Sequence, residues 1–337
     1  MPIPASRVSV LLPARDAGAT LPAALASLRR QTLRDWECVV VDDGSRDDTG
    51  RIATAVAARD PRIVVTATPR AGLVAALTAG LGRCRGAYVA RMDADDVMRR
   101  DRLARQVAAL EAAPGLSAVG THVRIFPRRG LTDGLRAYER WLNGIDSPAA
   151  VRREALVECP VVHPTLLIRR AVLTDFGYRD AGWPEDYDLV LRLLAAGHEV
   201  DVLPSRLLAW RDGPGRLTRT HPAYAQERIV ACKAAFLAGG FLAGARGWTL
   251  WGYGGTGRAL HRALRRHDLR PSVIVEVHAG RLGNEIHGAP VVPPAALATL
   301  PRQPLVASVA GADARGEIRA FLAGLGWVET RDFVCAA

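Results

Sequence analysis

Short apolar runs alternate with segments of helical periodicity along the first hundred residues. The runs are typical of buried strands, and the segments are typical of amphipathic helices. The predicted strands are Val8–Leu12, Cys38–Val41, Ile63–Thr66 and Ala87–Met92, and the predicted helices are Leu21–Leu28, Thr49–Ala58 and Leu73–Leu81. Strands that are apolar throughout and alternate with helices indicate a parallel sheet covered on both faces.

Acidic residues follow two of these predicted strands at the points where the strands end. Asp42 and Asp43 close the second strand, and Asp93-Ala94-Asp95 follows the fourth. Because ligands bind at the carboxyl ends of the strands in such sheets, these carboxylates are expected to converge on one site. Their oxygens suit Mg²⁺ or Mn²⁺. A structural role is the alternative, since aspartate is also common in turns and at helix N-caps.

A second α/β pattern begins after the glycine-rich stretch Gly239–Gly247. It predicts a smaller domain over residues 245–337, following a first domain over residues 1–240. Before that stretch the pattern is less regular, with a predicted helix over Asp188–Ala196 and a predicted strand near Val200–Leu203.

The second domain opens with a G-x-G-x-x-G loop between a predicted strand and a predicted helix. The residues of this pattern, with the acidic residue that ends the next predicted strand, are Gly252, Gly254, Gly255, Gly257 and Glu276. In this context the pattern is typical of a backbone that approaches a pyrophosphate at a helix N-terminus. A Rossmann-like unit that serves only for packing or dimerisation is the alternative.

Composition narrows the function classes. Hydrophobic residues make up 49% of the 337 residues and charged residues 23%, which is typical of a globular protein and argues against disorder. The most apolar stretch, Ala234–Ala245, is shorter than the roughly 20 residues of a membrane-spanning helix. We recognise no signal peptide. The five cysteines are widely spaced without a CxxC pair, which argues against a zinc site or a disulfide framework and favours the cytoplasm.

The chain is strongly basic, with a formal net charge of +11. Lys233 is the only lysine, and the arginines are scattered without the interleaved aromatic residues of a nucleic-acid platform. We therefore expect no nucleic-acid partner. The charge favours a phosphate-bearing substrate and peripheral contact with an anionic membrane surface at its inner face.

Several longer stretches resemble family 2 glycosyltransferases, in the order expected for that family. They are VSVLLPARDAGATLPAALASLRRQTLRDWECVVVDDGSRDDT, RAGLVAALTAGLGRCRGAYVARMDADD, HPTLLIRRAVL, GWPEDYDLVLRLLAAG and WRDGPGRLTRTHP. The stretches LGNEIHGAPVV and GWVETRDFV resemble the nucleotide-sugar-binding domain of bacterial sugar acyltransferases. Together these resemblances imply an α/β chain with the GT-A nucleotide-diphospho-sugar transferase fold plus a smaller C-terminal Rossmann-like domain.

The resemblance implies roles for individual residues. It implies that the nucleotide sugar is bound by Pro13, Ala14, Arg15, Asp16, Asp43, Arg70, Asp93 and Ala94. Asp95 would ligate a Mg²⁺ or Mn²⁺ ion that bridges the diphosphate, and His221 is a further candidate for reaching the metal. Asp16 and Thr78 stand where asparagine is common in the family.

The acceptor side of the reaction is assigned in the same way. Asp186 would be the general base that takes the proton of the acceptor hydroxyl, with Glu185 as its neighbour. His163 and Trp183 would line the acceptor side. From the residues alone, Glu185 and Asp186 are equally good N-terminal residues of a helix, and a lone histidine is more often structural than a ligand.

The sequence thus predicts a metal-dependent, inverting glycosyltransferase that uses a nucleotide-diphosphate sugar and a glycan or lipid-linked acceptor in surface glycan or polysaccharide assembly. Two alternatives stay open. One is an NAD(P)-dependent oxidoreductase centred on the C-terminal glycine loop, and the other is a nucleotide-sugar-binding protein without catalysis. The first has no use for Asp95, and the second is indifferent to the loss of Asp186.

Overall fold

The computed structural model of the protein describes residues 6–337, which form two compact units. The first unit contains the chain up to Val151, with Pro160–Ala181 and Glu185–Arg216. The second contains the segments Arg152–Cys159, Gly182–Pro184 and Leu217–Ala337. The predicted division into residues 1–240 and 245–337 stays a prediction, because compactness alone does not define an independently folding domain. Within the described range, no helix is both long and apolar enough to cross a membrane.

The first unit is built on one eight-stranded mixed sheet. Its strands are β1 (Val8–Ala14), β2 (Trp36–Asp43), β3 (Ile63–Thr68), β4 (Tyr88–Arg91), β5 (Val97–Met98), β6 (Leu116–Phe126), β7 (Leu167–Arg169) and β8 (Glu199–Arg211). Their order across the sheet is β3-β2-β1-β4-β7-β6-β8-β5. Neighbours among β1 to β4 pair in parallel, which confirms the prediction for these strands, whereas β7 and β5 pair antiparallel with their neighbours.

Helices and loops of the first unit cover this sheet. The α-helices up to residue 195 are α1 (Leu21–Arg29), α2 (Thr49–Ala57), α3 (Leu73–Leu81), α4 (Arg102–Ala112), α5 (Asp133–Leu142), α6 (Pro148–Glu154), α7 (Arg170–Phe176) and α8 (Glu185–Ala195), and a 3₁₀ turn spans His163–Thr165. Every residue of β1 and β2 is buried. Helix α1 buries Leu21, Leu25 and Leu28, whose spacing of three and four residues places them on one face.

Two elements differ from their predicted bounds. Helix α8 begins at Glu185 instead of Asp188, so the predicted catalytic carboxylates lie in its first turn. Strand β8 has 13 residues instead of the four predicted. It pairs along its length with β6, which is distant in the chain, and several of its residues are only partly buried. A local hydrophobic pattern does not report such pairing.

The second unit contains a six-stranded sheet in the order β11-β12-β10-β9-β13-β14. The strands are β9 (Thr249–Trp251), β10 (Val273–Val275), β11 (Glu285–Ile286), β12 (Ala289–Val292), β13 (Leu305–Ala307) and β14 (Phe333–Cys335). The helices are α9 (Leu217–Thr220), α10 (Gln226–Gly239), α11 (Gly255–Leu264) and α12 (Ala312–Gly324), with 3₁₀ turns at Pro222–Tyr224, Arg265–His267, Ala279–Arg281 and Pro294–Ala298.

The five parallel strands of this sheet have a doubly wound order. Starting from β9, strands β10 and β12 extend to one side and β13 and β14 to the other. The glycine loop follows β9, at the point where this order reverses. Ligands of doubly wound sheets bind at that point, so the loop lies where such a fold holds its ligand.

Candidate functional site

Asp16 connects the ends of the first two strands. Its φ angle of 47° lies in the left-handed region, which aspartate tolerates better than most residues. The backbone N–H of Arg46 donates to Asp16 Oδ1 at 2.8 Å, and the N–H of Asp16 donates to Ser45 Oγ at 3.0 Å. Pro13 and Ala14 are buried in β1, whereas Arg15 is exposed. The predicted nucleotide pocket therefore begins at a loop held in shape by its own hydrogen bonds.

Asp43 holds the loop that carries Arg70. Its buried carboxylate accepts the N–H groups of Ala71 at 2.7 Å and Gly72 at 3.0 Å. At Gly44, with a φ angle of 62°, a Cβ atom would lie 2.8 Å from the backbone nitrogen of Arg70, so only glycine fits there. Arg70 itself is exposed. The structure thus brings together two residues that the sequence suggests for the nucleotide.

Three carboxylates meet beyond the end of β4. One oxygen from each of Asp93, Asp95 and Asp96 lies within 4.8 Å of the others. Arg91 Nη1 lies 2.7 Å from Asp93 Oδ1, and Arg91 is buried beneath this group. Arg211, at the end of β8, donates its backbone N–H to Asp96 Oδ1 at 2.7 Å and its Nε to the Asp95 carbonyl at 2.8 Å. The cluster is therefore held from two strands.

Burial and mutual repulsion perturb these carboxylates. Burial, together with the charge of Asp93, raises the pKa of Asp95 to about 6. Burial raises the pKa of Asp96 well above its usual range, and the charges of Asp93 and Asp95 add to this effect. Asp96 Oδ2 is buried and has no hydrogen-bond partner within the described residues. A divalent cation would satisfy that oxygen and relieve the repulsion, so the donor set fits Mg²⁺ or Mn²⁺.

The predicted base lies at the start of α8. Glu185 is buried and Asp186 is half-buried, and the N–H of Tyr187 donates to Asp186 Oδ1 at 2.8 Å. Burial, followed by the charge of Glu185, raises the pKa of Asp186 to about 8. A carboxylate whose pKa is close to the working pH is suited to proton transfer.

His163 lies next to Glu185 and is 5% exposed. Its Nδ1 is 3.4 Å from Glu185 Oε1, and its Nε2 is 3.3 Å from the hydroxyl oxygen of Tyr178. Burial, and next the charge of Arg91, lower the pKa of His163, so the ring is neutral at pH 7. The imidazole therefore supports the carboxylate that precedes Asp186. Its predicted contact with the acceptor stays a prediction.

Arg91, Asp96, Tyr178 and Arg211 are residues of this site that the sequence analysis did not select. The positive charge of Arg91 opposes the pKa rise of both Asp96 and Asp186, so one buried guanidinium serves both carboxylate groups. Asp96 could have been found from its position beside Asp95. Arg91 could have been found in the same way, because it lies two residues before Asp93. Tyr178 and Arg211 carry no local signal, because only the packed fold brings them to the carboxylates.

Trp183 and His221 belong to the second unit. Trp183 is partly buried. His221 Nδ1 accepts the N–H of Ala223 at 3.3 Å and so caps a 3₁₀ turn. Among the described residues, the carboxylate cluster that could hold a metal contains Asp95 and not His221. The proposed metal and acceptor roles of these two residues stay predictions.

The glycine loop of the second unit is tightly built at its two ends. At Gly252, with a φ angle of 93°, a Cβ atom would lie 2.4 Å from Val309 Cγ2. At Gly257 it would lie 1.9 Å from the Gly252 carbonyl oxygen. Gly254 and Gly255 face open space. The outer glycines are therefore needed for packing, and the central pair leaves room at the start of α11.

Glu276 is attached to this loop. Its carboxylate accepts the N–H of Tyr253 at 3.2 Å and Nη1 of Arg281 at 2.7 Å. Burial opposes ionisation, but the bond from Arg281 and those from backbone N–H groups keep the pKa of Glu276 below its usual range. These contacts use the carboxylate to hold the loop.

Known proteins resemble this chain in sequence. Residues 9–177 match the family described as Glycosyl transferase family 2. The amylovoran biosynthesis glycosyltransferase AmsE of Erwinia amylovora is 33% identical over 195 residues, which are 57% of this chain and 71% of that protein. The succinoglycan biosynthesis protein ExoO of Rhizobium meliloti is 29% identical over 240 residues, 68% of each chain.

Solved structures share the fold. S. aureus TarS in complex with UDP-GlcNAc superposes with a TM-score of 0.56 at 18% identity, covering 77% of this chain and 72% of that one. The mannosyltransferase PcManGT from Pyrobaculum calidifontis, in complex with GDP-Man and Mn²⁺, gives 0.54 at 21% identity, covering 78% and 73%.

Proposed function

The chain belongs to glycosyl transferase family 2, and on that premise we propose that it moves a sugar from a nucleotide-diphosphate donor to a hydroxyl group of a glycan or lipid-linked acceptor. It is a glycosyltransferase with a GT-A-like fold and a second, smaller sheet domain. The observation that carries the proposal is the convergence of three carboxylates beyond β4, in the same unit as the perturbed carboxyl of Asp186.

The donor occupies the carboxyl ends of β1, β2 and β4 in this proposal. Asp16 and Asp43 shape the two loops there, and Arg70 supplies a positive charge for the diphosphate. Support comes from the neighbours in complex with UDP-GlcNAc and GDP-Man, which are nucleotide-diphosphate sugars.

Asp93, Asp95 and Asp96 would hold a Mg²⁺ or Mn²⁺ ion. When bound, such an ion supplies a Lewis acid that neutralises negative charge on the leaving diphosphate. The mannosyltransferase neighbour in complex with Mn²⁺ supports this assignment. Arg91 keeps its own charge against Asp93, so it limits the repulsion within the cluster.

Asp186 is the proposed general base. Its half-buried carboxylate takes the proton of the acceptor hydroxyl as that oxygen attacks the anomeric carbon. Glu185 and His163 hold the first turn of α8 in place. Direct attack by the acceptor inverts the anomeric configuration.

The acceptor belongs to a surface glycan or polysaccharide in this proposal. Relatives named for amylovoran and succinoglycan biosynthesis support it. A reaction on a lipid-linked glycan takes place at a membrane, and the net charge of +11 suits peripheral contact with the anionic inner face from the cytoplasm.

A thermal-shift screen tests the donor site. UDP-, GDP-, dTDP- and CMP-sugars are added with and without Mn²⁺ to the wild type, to Asp95→Ala and to Asp175→Ala, whose exposed carboxylate on α7 is the matched control. We expect one nucleotide to give a Mn²⁺-dependent rise in melting temperature in the wild type and the control, and we expect this Mn²⁺-dependent rise to be absent in Asp95→Ala. A shift with NAD(P) alone would overturn the proposal.

Product analysis then separates catalysis from binding. With the nucleotide sugar identified, a set of glycan acceptors is screened for release of the nucleoside diphosphate, and the anomeric configuration of the product is read by NMR. Binding of the donor without any turnover would favour a nucleotide-sugar-binding protein.

For the second unit we propose a separate phosphate-binding role for its glycine loop, in line with its resemblance to sugar acyltransferases. The open space at Gly254 and Gly255 supports it, as does the position of the loop where the strand order reverses. Gly255→Leu would fill that space. We expect a second nucleotide-sugar shift that does not require Mn²⁺, survives Asp95→Ala and is lost in Gly255→Leu. Persistence of this metal-independent shift in Gly255→Leu would contradict the role.

A further inference from the structure

Five arginines line one concavity on the first unit. The space is shallow and open to solvent, and its lining consists of Arg29, Arg30, Arg34, Met98, Arg99 and Arg100. All five arginines are exposed. The proposed transfer reaction uses none of them.

This concavity lies near the amino end of β2, whereas Asp93, Asp95 and Asp96 lie beyond the carboxyl end of β4. Helix α1 starts after the carboxyl end of β1 and returns to the amino end of β2, so Arg29, Arg30 and Arg34 come just before β2 begins. The segment after Asp96 runs along α1 in the same direction: the N–H of Met98 bonds to Ser27 Oγ at 3.1 Å. The arginines are therefore remote from the ends of β1, β2 and β4.

Hydrogen bonds to backbone groups hold the two arginine segments together. The N–H of Thr32 donates to the Arg100 carbonyl at 2.7 Å. The fully buried side chain of Gln31 donates to the Arg99 carbonyl at 2.8 Å and accepts the N–H of Leu103 at 3.0 Å. The backbone positions of the arginines are thus set by the fold.

Positive charge is in excess at this surface. Arg29 lies 3.3 Å from Asp60, and Arg99 lies 2.9 Å from Asp101. The remaining lining arginines have no carboxylate partner in the part of the chain that the structure describes; they are Arg30, Arg34 and Arg100. Asp60 and Asp101 are also shared with Arg62 and Arg105, which lie outside the lining.

We propose that this concavity binds the phosphate head groups of anionic lipids and holds the protein on the membrane surface. This deepens the peripheral membrane contact of the proposed function and rests on it. One guanidinium group can donate two parallel hydrogen bonds to two oxygens of a phosphate. Clusters of four to eight basic residues are typical of binding to anionic membranes. Single-stranded nucleic acid is bound largely by stacking on aromatic residues, and the six lining residues include none.

Vesicle co-sedimentation of the full chain tests the proposal. The probes are vesicles of phosphatidylcholine alone and of equal parts phosphatidylcholine and phosphatidylglycerol. We expect the wild type to bind only the anionic vesicles. The triple variant Arg30→Gln, Arg34→Gln, Arg100→Gln should bind about 100-fold more weakly, at about fivefold for each arginine removed.

A matched variant removes the same charge elsewhere on the first unit. Arg124, Arg129 and Arg140 are exposed and lie on or near β6 and α5. Their triple replacement by glutamine should leave vesicle binding within a few-fold of wild type. Both variants should keep the wild-type melting temperature and the donor-induced thermal shift. The thermal shift tests the transferase proposal and vesicle binding tests the membrane proposal, so failure of one can be told from failure of the other.

Three outcomes would overturn the proposal. Binding of the first triple variant at wild-type strength would show that the concavity does not contribute to membrane binding. An equal loss in both variants would show attraction by net charge alone. Preference for a DNA duplex over the anionic vesicles, lost in the first variant only, would assign this surface to nucleic acid.

Discussion

At the residue scale, the raised pKa of the Asp186 carboxyl lowers the stability of the folded protein and suits this group to proton transfer. It is half-buried next to Glu185, and burial is the main cause that raises its pKa to about 8. A proton acceptor must lose its proton before it can work, so the protonation of this one group sets the pH range of the proposed reaction.

The first prediction concerns that pH range. Because the carboxylate form of Asp186 increases as the pH rises through about 8, kcat/KM should increase over the same interval. Asp186→Asn should lower kcat by about 10²–10⁴-fold and leave the donor-induced thermal shift unchanged. Steady-state kinetics across pH, with Asp175→Asn as control, checks both results, and a flat profile in the wild type would contradict the role of base.

The second prediction follows from linkage. The folded protein keeps the Asp186 proton at pH values where the unfolded chain has lost it, so wild-type stability falls as the pH rises from the ordinary aspartate pKa of about 4 toward about 8. Asp186→Asn has no proton to lose at this position, so its stability does not fall with pH for this reason. Its melting temperature should therefore exceed that of the wild type at high pH and match it at low pH, as measured by calorimetry in both conditions.

The third prediction tests how His163 acts. Tyr178→Phe and His163→Ala remove the contacts behind Glu185. If the imidazole positions the first turn of α8, kcat should fall about 10- to 100-fold with an unchanged KM for the donor, and the apparent pKa near 8 should move. A rise in the KM for the acceptor at constant kcat would instead favour direct acceptor contact.

At the element scale, tight turns at strand ends decide which loops can form. The glycine loop after β9 shows this most clearly, because Gly257 packs directly on the Gly252 carbonyl. The side chain of Glu276, from the end of the neighbouring strand, accepts the N–H of Tyr253 within the same loop. The geometry of the loop therefore comes from contacts between elements.

The fourth prediction uses two helical glycines. Gly257→Ala places a Cβ atom 1.9 Å from the Gly252 oxygen, so the backbone must move. We expect the free energy of unfolding to fall by about 1–3 kcal/mol. Gly316→Ala, in α12 and facing open space, is the matched control and should stabilise by about 0.5–1 kcal/mol. Urea unfolding measures both, and equal effects would contradict the packing argument.

At the scale of the whole molecule, distant segments of the chain meet inside each unit. In the second unit, the buried Lys233 of α10 donates to the carbonyl of Val157 at 2.6 Å and to that of Ala336 at 3.1 Å. The only lysine of the chain thus joins α10 to two segments that are remote in sequence.

The fifth prediction concerns this connection. Lys233→Met keeps most of the volume but leaves two buried carbonyl groups without a donor, which should lower the free energy of unfolding by about 1–3 kcal/mol. Donor binding in the first unit should be unaffected. Chemical denaturation of the variant measures the free energy of unfolding, and its nucleotide-sugar thermal shift measures donor binding. A loss of donor binding would contradict the prediction.

The sequence by itself determined the elements whose signal is local. The apolar runs of β1 to β4 and the spaced residues of α1 to α3 report their own burial, so the parallel part of the sheet could be predicted. The acidic residues at the ends of β2 and β4 were found for the same reason, because a strand end is visible in the chain.

Only the tertiary structure decided which of these groups meet. The length of β8 and the contact of His163 with Glu185 depend on residues that are far apart in sequence. Arg91 is close to Asp93 in sequence, but its charge acts on Asp186 only through the packing of the fold. The raised pKa values of Asp95 and Asp186 follow from that packing. Burial and electrostatic interaction depend on distance in space, and no local pattern of hydrophobic and polar residues records that distance.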